Sequence, residues 1–139
     1  MSAGFELFDH TADLGLRAWA DTPGGLVEPL TRGFYAAVGD VAAAPGGSVE
    51  TLSIGGADPA LRWRDYLARL LLLFECDGVV LVDPRVTRLD EAGLEVVARH
   101  APLDAAASDL AREVKAVTYH ALSLVEADGR WTFTVILDI

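Results

Sequence analysis

Arg130-Trp131-Thr132-Phe133-Thr134-Val135-Ile136-Leu137-Asp138, entered through Asp128-Gly129, decides the fold. Asp-Gly between two alternating runs is a strong short-range hairpin signal, because both residues tolerate a left-handed backbone. The preceding run, Glu113 to Val125, alternates in the same way and is expected to be the partner strand. With a two-residue loop, Ala127 faces Arg130, Leu124 faces Phe133, Leu122 faces Val135 and His120 faces Leu137. The last three of these pairs and Trp131 then share one apolar face, so register and hydrophobic pattern agree. The same register sets Tyr119 opposite Asp138 and Thr118 opposite Ile139. A bulge would slip it by one residue.

Working outward, Phe5 to Phe8 and Leu14 to Ala20 read as two strands around the turn Asp9-His10-Thr11-Ala12-Asp13. Thr22-Pro23 reads as a helix start, and Leu26, Leu30, Phe34 and Val38 fall at helical spacing. Pro29 removes one backbone donor from the first turns. Ala42 to Ser48 is a loop, and Val49 to Ile54 a short strand. Asp58-Pro59 opens a second helix that Gly78 closes. Its stripe is Trp63, Leu67, Leu70, Leu71 and Phe74, with Arg62, Asp65 and Arg69 facing away. Leu72, Leu73 and Cys76 widen the stripe and predict deep burial at that end. Val79 to Val82, Arg85 to Leu89 and Leu94 to Arg99 read as strands, while Ala101 to Ala111 fits a loop or a short helix. The expectation is an α/β protein of the α+β type, with one domain over residues 1–139. It is a two-layer sandwich in which two main helices cover one face of a mainly antiparallel sheet.

Composition narrows the function. Hydrophobic residues make up 52% of the 139 residues and charged residues 23%, a globular mixture. Eleven basic against 21 acidic residues give a net charge of −10. So acidic a chain is poorly suited to gripping nucleic acid, which needs Lys and Arg on phosphates. Cys76 is the single cysteine, so no internal disulfide or cysteine zinc site is expected, and a buried thiol is the simple reading. There is no basic-then-apolar leader, and the longest apolar run, Leu70 to Phe74, is too short for a bilayer. The expected location is the cytoplasm, with no membrane partner.

The candidate chemistry is sparse. His10 lies between Asp9 and Asp13 and serves either as a ligand or as an ordering group of the turn. His120 reads as a satisfied core histidine, and His100 as a surface residue after a strand. No histidine pair has zinc-ligand spacing. The sequence stops at Ile139, and an acid one residue before a terminal carboxylate is an unusual way to finish a strand. Asp13, Asp138 and the Ile139 carboxylate are three hard oxygen donors of the kind that suits Ca²⁺ or Mg²⁺. Asp13 as a turn cap and Asp138 as a solvated strand end is the plainer alternative. Nucleophile elbows, phosphate-cradling glycine loops and paired Cys/His are all missing, so a conventional enzyme is hard to build.

Asp9-His10-Thr11-Ala12-Asp13-Leu14-Gly15, Lys115-Ala116-Val117-Thr118-Tyr119-His120 and Val135-Ile136-Leu137-Asp138-Ile139, in that order, resemble the archease family. The helix from Asp65 to Gly78 resembles the family's second helix. The resemblance implies a metal site on Asp13, Asp138 and the carboxylate of Ile139. Ca²⁺ is the ion expected in the isolated protein, with Mg²⁺ or Mn²⁺ as alternatives. Asp9, His10, Lys115, Thr118, Tyr119 and His120 become supporting or partner-contact residues. The implied role is that of a non-enzymatic protein cofactor of an RtcB-type RNA ligase, promoting its guanylylation and multiple turnover in tRNA splicing or RNA repair. The rivals are a chaperone-like modulator of another RNA-processing enzyme, such as a tRNA methyltransferase, and a small metal-dependent hydrolase using Asp13 and His10. The chain departs from the family pattern at Pro23, Gly24, Gly25 and Pro29, and again over Ala101 to Ala107.

Overall fold

The computed structural model describes residues 3–139. In chain order the elements are β1 (Gly4–His10), β2 (Asp13–Ala20), a 3₁₀ turn (Gly24–Leu26), α1 (Val27–Val38), β3 (Gly39–Asp40), β4 (Ser48–Gly55), α2 (Pro59–Asp77), β5 (Val79–Asp90), β6 (Gly93–Pro102), β7 (Asp109–Leu110), β8 (Ala116–Val117), β9 (Ser123–Ala127) and β10 (Arg130–Asp138). The pairing is antiparallel, as expected, but the strands divide among separate sheets. The larger has the order β1-β2-β10-β8 with β9 also on β10, a second has β4-β6-β5, and β3 pairs with β7. Helix α1 packs on β1, β2 and β5, while α2 packs on β4, β5, β8 and β9, so each helix touches both larger sheets.

Local rules set the helix ends. Asp58 caps α2 by accepting from the N–H groups of Ala60 and Leu61 at 2.9 and 3.2 Å, and Pro59 sits where its missing donor costs nothing. Gly78 ends the helix in the left-handed region, with φ 60. Thr22 also caps, but what it caps is the 3₁₀ turn: its hydroxyl accepts from the Gly25 N–H at 3.0 Å. Pro29 is the third residue of α1, in the first turn, where proline is tolerated because its fixed φ suits the helix.

The core is built as the alternation predicts. Leu14, Leu16, Ala18 and Ala20 of β2 meet Leu26, Leu30, Phe34 and Val38, together with Trp63, Leu67 and Leu70 of α2 and Phe133, Val135 and Leu137 of β10. Among the described residues, no helix is long and apolar enough to cross a membrane.

Several expectations are corrected. Arg62 does not face away; it is 7% exposed, and its guanidinium donates to the backbone carbonyls of Gly56 and Asp90. Buried positions on α2 end at Leu70, and Leu72 and Cys76 are exposed. An apolar run round the whole helix cannot all face one core, so the excess stays outside. His100 lies inside β6, half-buried, with Nε2 lacking a hydrogen-bond partner. Ala101 to Ala111 holds the end of β6, a turn in which Asp104 accepts from the Ala107 N–H at 3.0 Å, and β7.

The largest difference lies in the Glu113 to Val125 run. The hairpin register holds from Arg130↔Ala127 through Phe133↔Leu124 to Thr134↔Ser123. Beyond that, Leu137 pairs with Val117 in place of His120, and Asp138 with Ala116 in place of Tyr119, a slip of three residues. The excess is looped out between β8 and β9, where Ala121 adopts φ 54. Thr118 anchors the loop: its N–H and its hydroxyl both donate to the Ile136 carbonyl, at 3.0 and 2.8 Å. His120 is therefore exposed and not a core residue.

Candidate functional site

The β1–β2 turn places His10 directly opposite Asp13. On the other side of β2, the register with β10 runs to Leu14↔Leu137. Continued by one residue, it sets Asp138 beside Asp13. Leu14 and Leu137 are 7% and 0% exposed and point into the core, so Asp13 and Asp138 project from the opposite face, where alternation puts every next residue. His10, Asp13 and Asp138 thus form one row across three neighbouring strands, all half-buried. Directly opposed side chains have Cβ atoms about 4.5–5.5 Å apart.

The next row on that face explains Gly15. A Cβ there would lie 2.1 Å from the Phe8 ring, so the missing side chain lets Phe8 lie flat across the sheet. The Arg17 guanidinium sits 4.5 Å from the centre of that ring and is ion-paired to Glu6 at 2.6 Å. Ile136, in the same row, is only 1% exposed. The two carboxylates therefore stand at the edge of a covered apolar patch.

Among the described residues, neither Asp13 nor Asp138 forms an ion pair. Two like charges side by side without a cation are an unfavourable arrangement that a bound cation relieves. Carboxylate oxygens are the donors that Ca²⁺ or Mg²⁺ takes, so the pair fits such an ion. Among the described residues, no group of three His, Cys, Asp or Glu side chains converges to hold a metal. The remaining donors would have to be backbone carbonyls, a terminal carboxylate or water. Ile139 follows Asp138, half-buried and packed against the core.

The other candidates divide. Lys115 is exposed, and its N–H donates to the Asp138 carbonyl at 2.7 Å, fixing that residue's backbone. The His120 ring lies 5.3 Å from the His10 ring, centre to centre. The looped-out segment thereby brings His120, which the expected register had set opposite Leu137 on the core face, against His10 at the end of the carboxylate row. Tyr119 is 64% exposed, with its ring over Arg64 at 4.1 Å. Asp9 does not join the row. It pairs with Leu14, so alternation turns it to the other face from Asp13.

Arg64 gave no signal in the sequence. Its Nε and Nη2 donate to the Val117 carbonyl at 3.0 and 2.9 Å, and its Nη1 to Asp65 at 2.7 Å. It pins the start of the segment carrying Thr118, Tyr119 and His120 to α2. An open groove of about 740 Å³ between α1 and β5, beside Thr31, Tyr35 and Arg85, includes none of these residues.

Residues 5–139 match the sequence profile of the Archease protein family. The chain belongs to the archease family. A Protein archease from Methanopyrus kandleri is 35% identical over 139 residues, spanning 97% of this chain and 99% of that protein. One from Pyrococcus abyssi is 27% identical, over 97% of this chain and 98% of its own. Among solved structures, the solution structure of Methanobacterium thermoautotrophicum protein 1598 is similar with a TM-score of 0.75 and 26% identity, covering 98% of this archease and 99% of that chain. The crystal structure of a Thermotoga maritima protein described as an archease and possible chaperone gives a TM-score of 0.69 at 18% identity over 96% of each chain, a likeness of fold.

Proposed function

We propose that this archease is an accessory protein of an RtcB-type RNA ligase, promoting its guanylylation and repeated turnover in tRNA splicing or RNA repair. Family membership supports an archease-type role, and the Thermotoga maritima relative, described as a possible chaperone, is in keeping with a helper of another protein. What supports the reading is the β2–β10 register, which one step beyond its last pair, Leu14↔Leu137, sets Asp138 beside Asp13, an acidic pair that forms no ion pair among the described residues.

In this reading Asp13, Asp138 and the Ile139 carboxylate hold a divalent cation, Ca²⁺ in the isolated protein, with Mg²⁺ or Mn²⁺ as alternatives. The cation would supply positive charge for nucleotide phosphates at the ligase active site. Asp13 and Asp138 orient the donor oxygens, because each is fixed by a strand. Lys115 fixes Asp138 through its backbone, and Thr118 fixes the neighbouring loop to β10. Tyr119 and His120 present exposed rings to the partner. The nucleophile belongs to the ligase, the surface charge leaves little to grip RNA directly, and a cytoplasmic location follows from the role.

The test is guanylylation of a cognate ligase by GTP at limiting metal, with and without this protein. Asp13→Ala and Asp138→Ala are each expected to abolish the stimulation while the variants stay folded. Residues appended after Ile139 should impair it too. Wild-type stimulation by both alanine variants would show that the pair is not the working part. Stimulation of a tRNA methyltransferase in place of the ligase would favour the modulator reading.

A further inference from the structure

The two imidazoles beside the carboxylate row are not accounted for by it. His10 and His120 come from segments more than a hundred residues apart, yet their ring centres lie 5.3 Å apart with planes tilted by 60°. His10 Nδ1 is buried and has no hydrogen-bond partner. Native structures rarely leave such an atom alone unless an ion or water completes it. Each histidine is also followed at once by a non-glycine residue in the left-handed region, Thr11 with φ 49 and Ala121 with φ 54. For a β-branched threonine that conformation is an outlier, and strain of this kind collects at functional sites. The loop carrying His120 is held in place by Thr118, which donates to the Ile136 carbonyl and accepts from the His120 N–H at 3.1 Å.

We propose that His10 and His120 form an imidazole site for a divalent transition metal such as Zn²⁺, distinct in donor chemistry from the Asp13/Asp138 pair. Neutral imidazole suits Zn²⁺ and its neighbours, whereas Ca²⁺ and Mg²⁺ take oxygen. Two imidazoles on one zinc at a Zn–N distance of about 2.0–2.1 Å place their ring centres roughly 5–6 Å apart. The observed separation of 5.3 Å falls in that range. With two protein nitrogens the ion keeps open positions for water or for a partner's donor, the arrangement of an exchangeable site and not of a structural one. Asp13, opposite His10 on the same face, is the nearest candidate to steady the ring.

The assignment does not depend on the ligase reading and is tested on the isolated protein. Zn²⁺ alone is titrated calorimetrically into the Cys76→Ser protein, since the exposed Cys76 thiol is a competing soft donor. Imidazole resonances are followed by NMR in parallel with Zn²⁺ and, separately, with Ca²⁺. One saturable Zn²⁺ site is expected, with the His10 and His120 resonances moving on Zn²⁺ and not on Ca²⁺. His120→Ala, at an exposed position, should weaken Zn²⁺ by no less than the roughly 10–100-fold that loss of an outer-shell partner costs. His120→Gln should do the same, and His100→Ala should change nothing. If His10→Ala fails to fold, the two His120 variants carry the test. Absence of saturable Zn²⁺ binding overturns the proposal, as does unchanged affinity in His120→Ala. Zn²⁺ affinity lost in Asp138→Asn but kept in His120→Ala would also overturn it.

Discussion

Trp63→Ala is expected to lower the unfolding free energy by about 3–5 kcal/mol, the usual cost of deleting a fully buried aromatic side chain. Trp63 is 1% exposed, in the first turns of α2, and meets the Tyr66 ring edge-on with centres 5.7 Å apart. Tyr66 is itself fully buried and shares a 2.7 Å hydrogen bond with Thr31 of α1. The lost indole therefore leaves a void where the two helices meet. Small domains are stable by roughly 5–15 kcal/mol in all, so this one change removes a large share. Urea unfolding measures it. The midpoint should fall with little change in slope, and Trp63→Phe should lose clearly less. A midpoint for Trp63→Ala within experimental error of wild type would show that α2 is not seated as described.

Stability should also collapse in alkali. Burial pushes the Tyr35 hydroxyl up to about 12, against a smaller opposing effect from the Leu81 N–H it accepts. Burial raises the Tyr66 hydroxyl too, with the Thr31 hydrogen bond acting the other way. An unfolded chain releases these protons near pH 10. The folded state binds them more tightly, so its advantage is complete below about pH 10 and declines as pH rises through the folded values. Tyr35 alone accounts for about 2–3 kcal/mol lost by pH 12, and Tyr66 adds to it. Tyrosinate absorbance should rise together with unfolding and not ahead of it. Tyr35→Phe and Tyr66→Phe should each flatten the fall in stability between pH 10 and 12. An unaltered alkaline profile in the double variant would locate the sensitivity elsewhere.

What the sequence made legible was local. Asp58-Pro59 and Gly78 bound α2 because capping is decided within a few residues. Asp128-Gly129 set the register of the last hairpin as far as Ser123 for the same reason. Beyond that point the alternation of His120, Leu122 and Leu124 continues as if the strand did. Nothing in Ala121 advertises a left-handed backbone, so the looped-out segment was invisible. Arg62 looked like an outward charge because its partners, the carbonyls of Gly56 and Asp90, belong to turns that only the tertiary fold brings to α2. The division of the strands into separate sheets is likewise a matter of which distant strands meet. The site was legible in part. The motif around Asp13 and the final strand carried the resemblance, but their adjacency is a property of the β2–β10 pairing, which joins opposite ends of the chain. The β1–β2 pairing decides that His10 shares the face of Asp13 and that Asp9 does not. Arg64, between Trp63 and Asp65, carries no pattern that marks it as a clamp on the Val117 carbonyl.

Metal-linked thermal stability shows whether Asp13 and Asp138 act together on one cation, as proposed above. In chelated buffer, Asp13→Asn and Asp138→Asn should be as stable as wild type or slightly more so, because each removes a like charge from its neighbour. Adding Ca²⁺ should stabilise the wild type by RT ln(1 + [L]/Kd), about 2.7 kcal/mol at one hundred times Kd. Each Asn variant should lose nearly all of that gain at the same concentration. Equal Ca²⁺ stabilisation of wild type and both variants would mean that the two carboxylates do not share a cation.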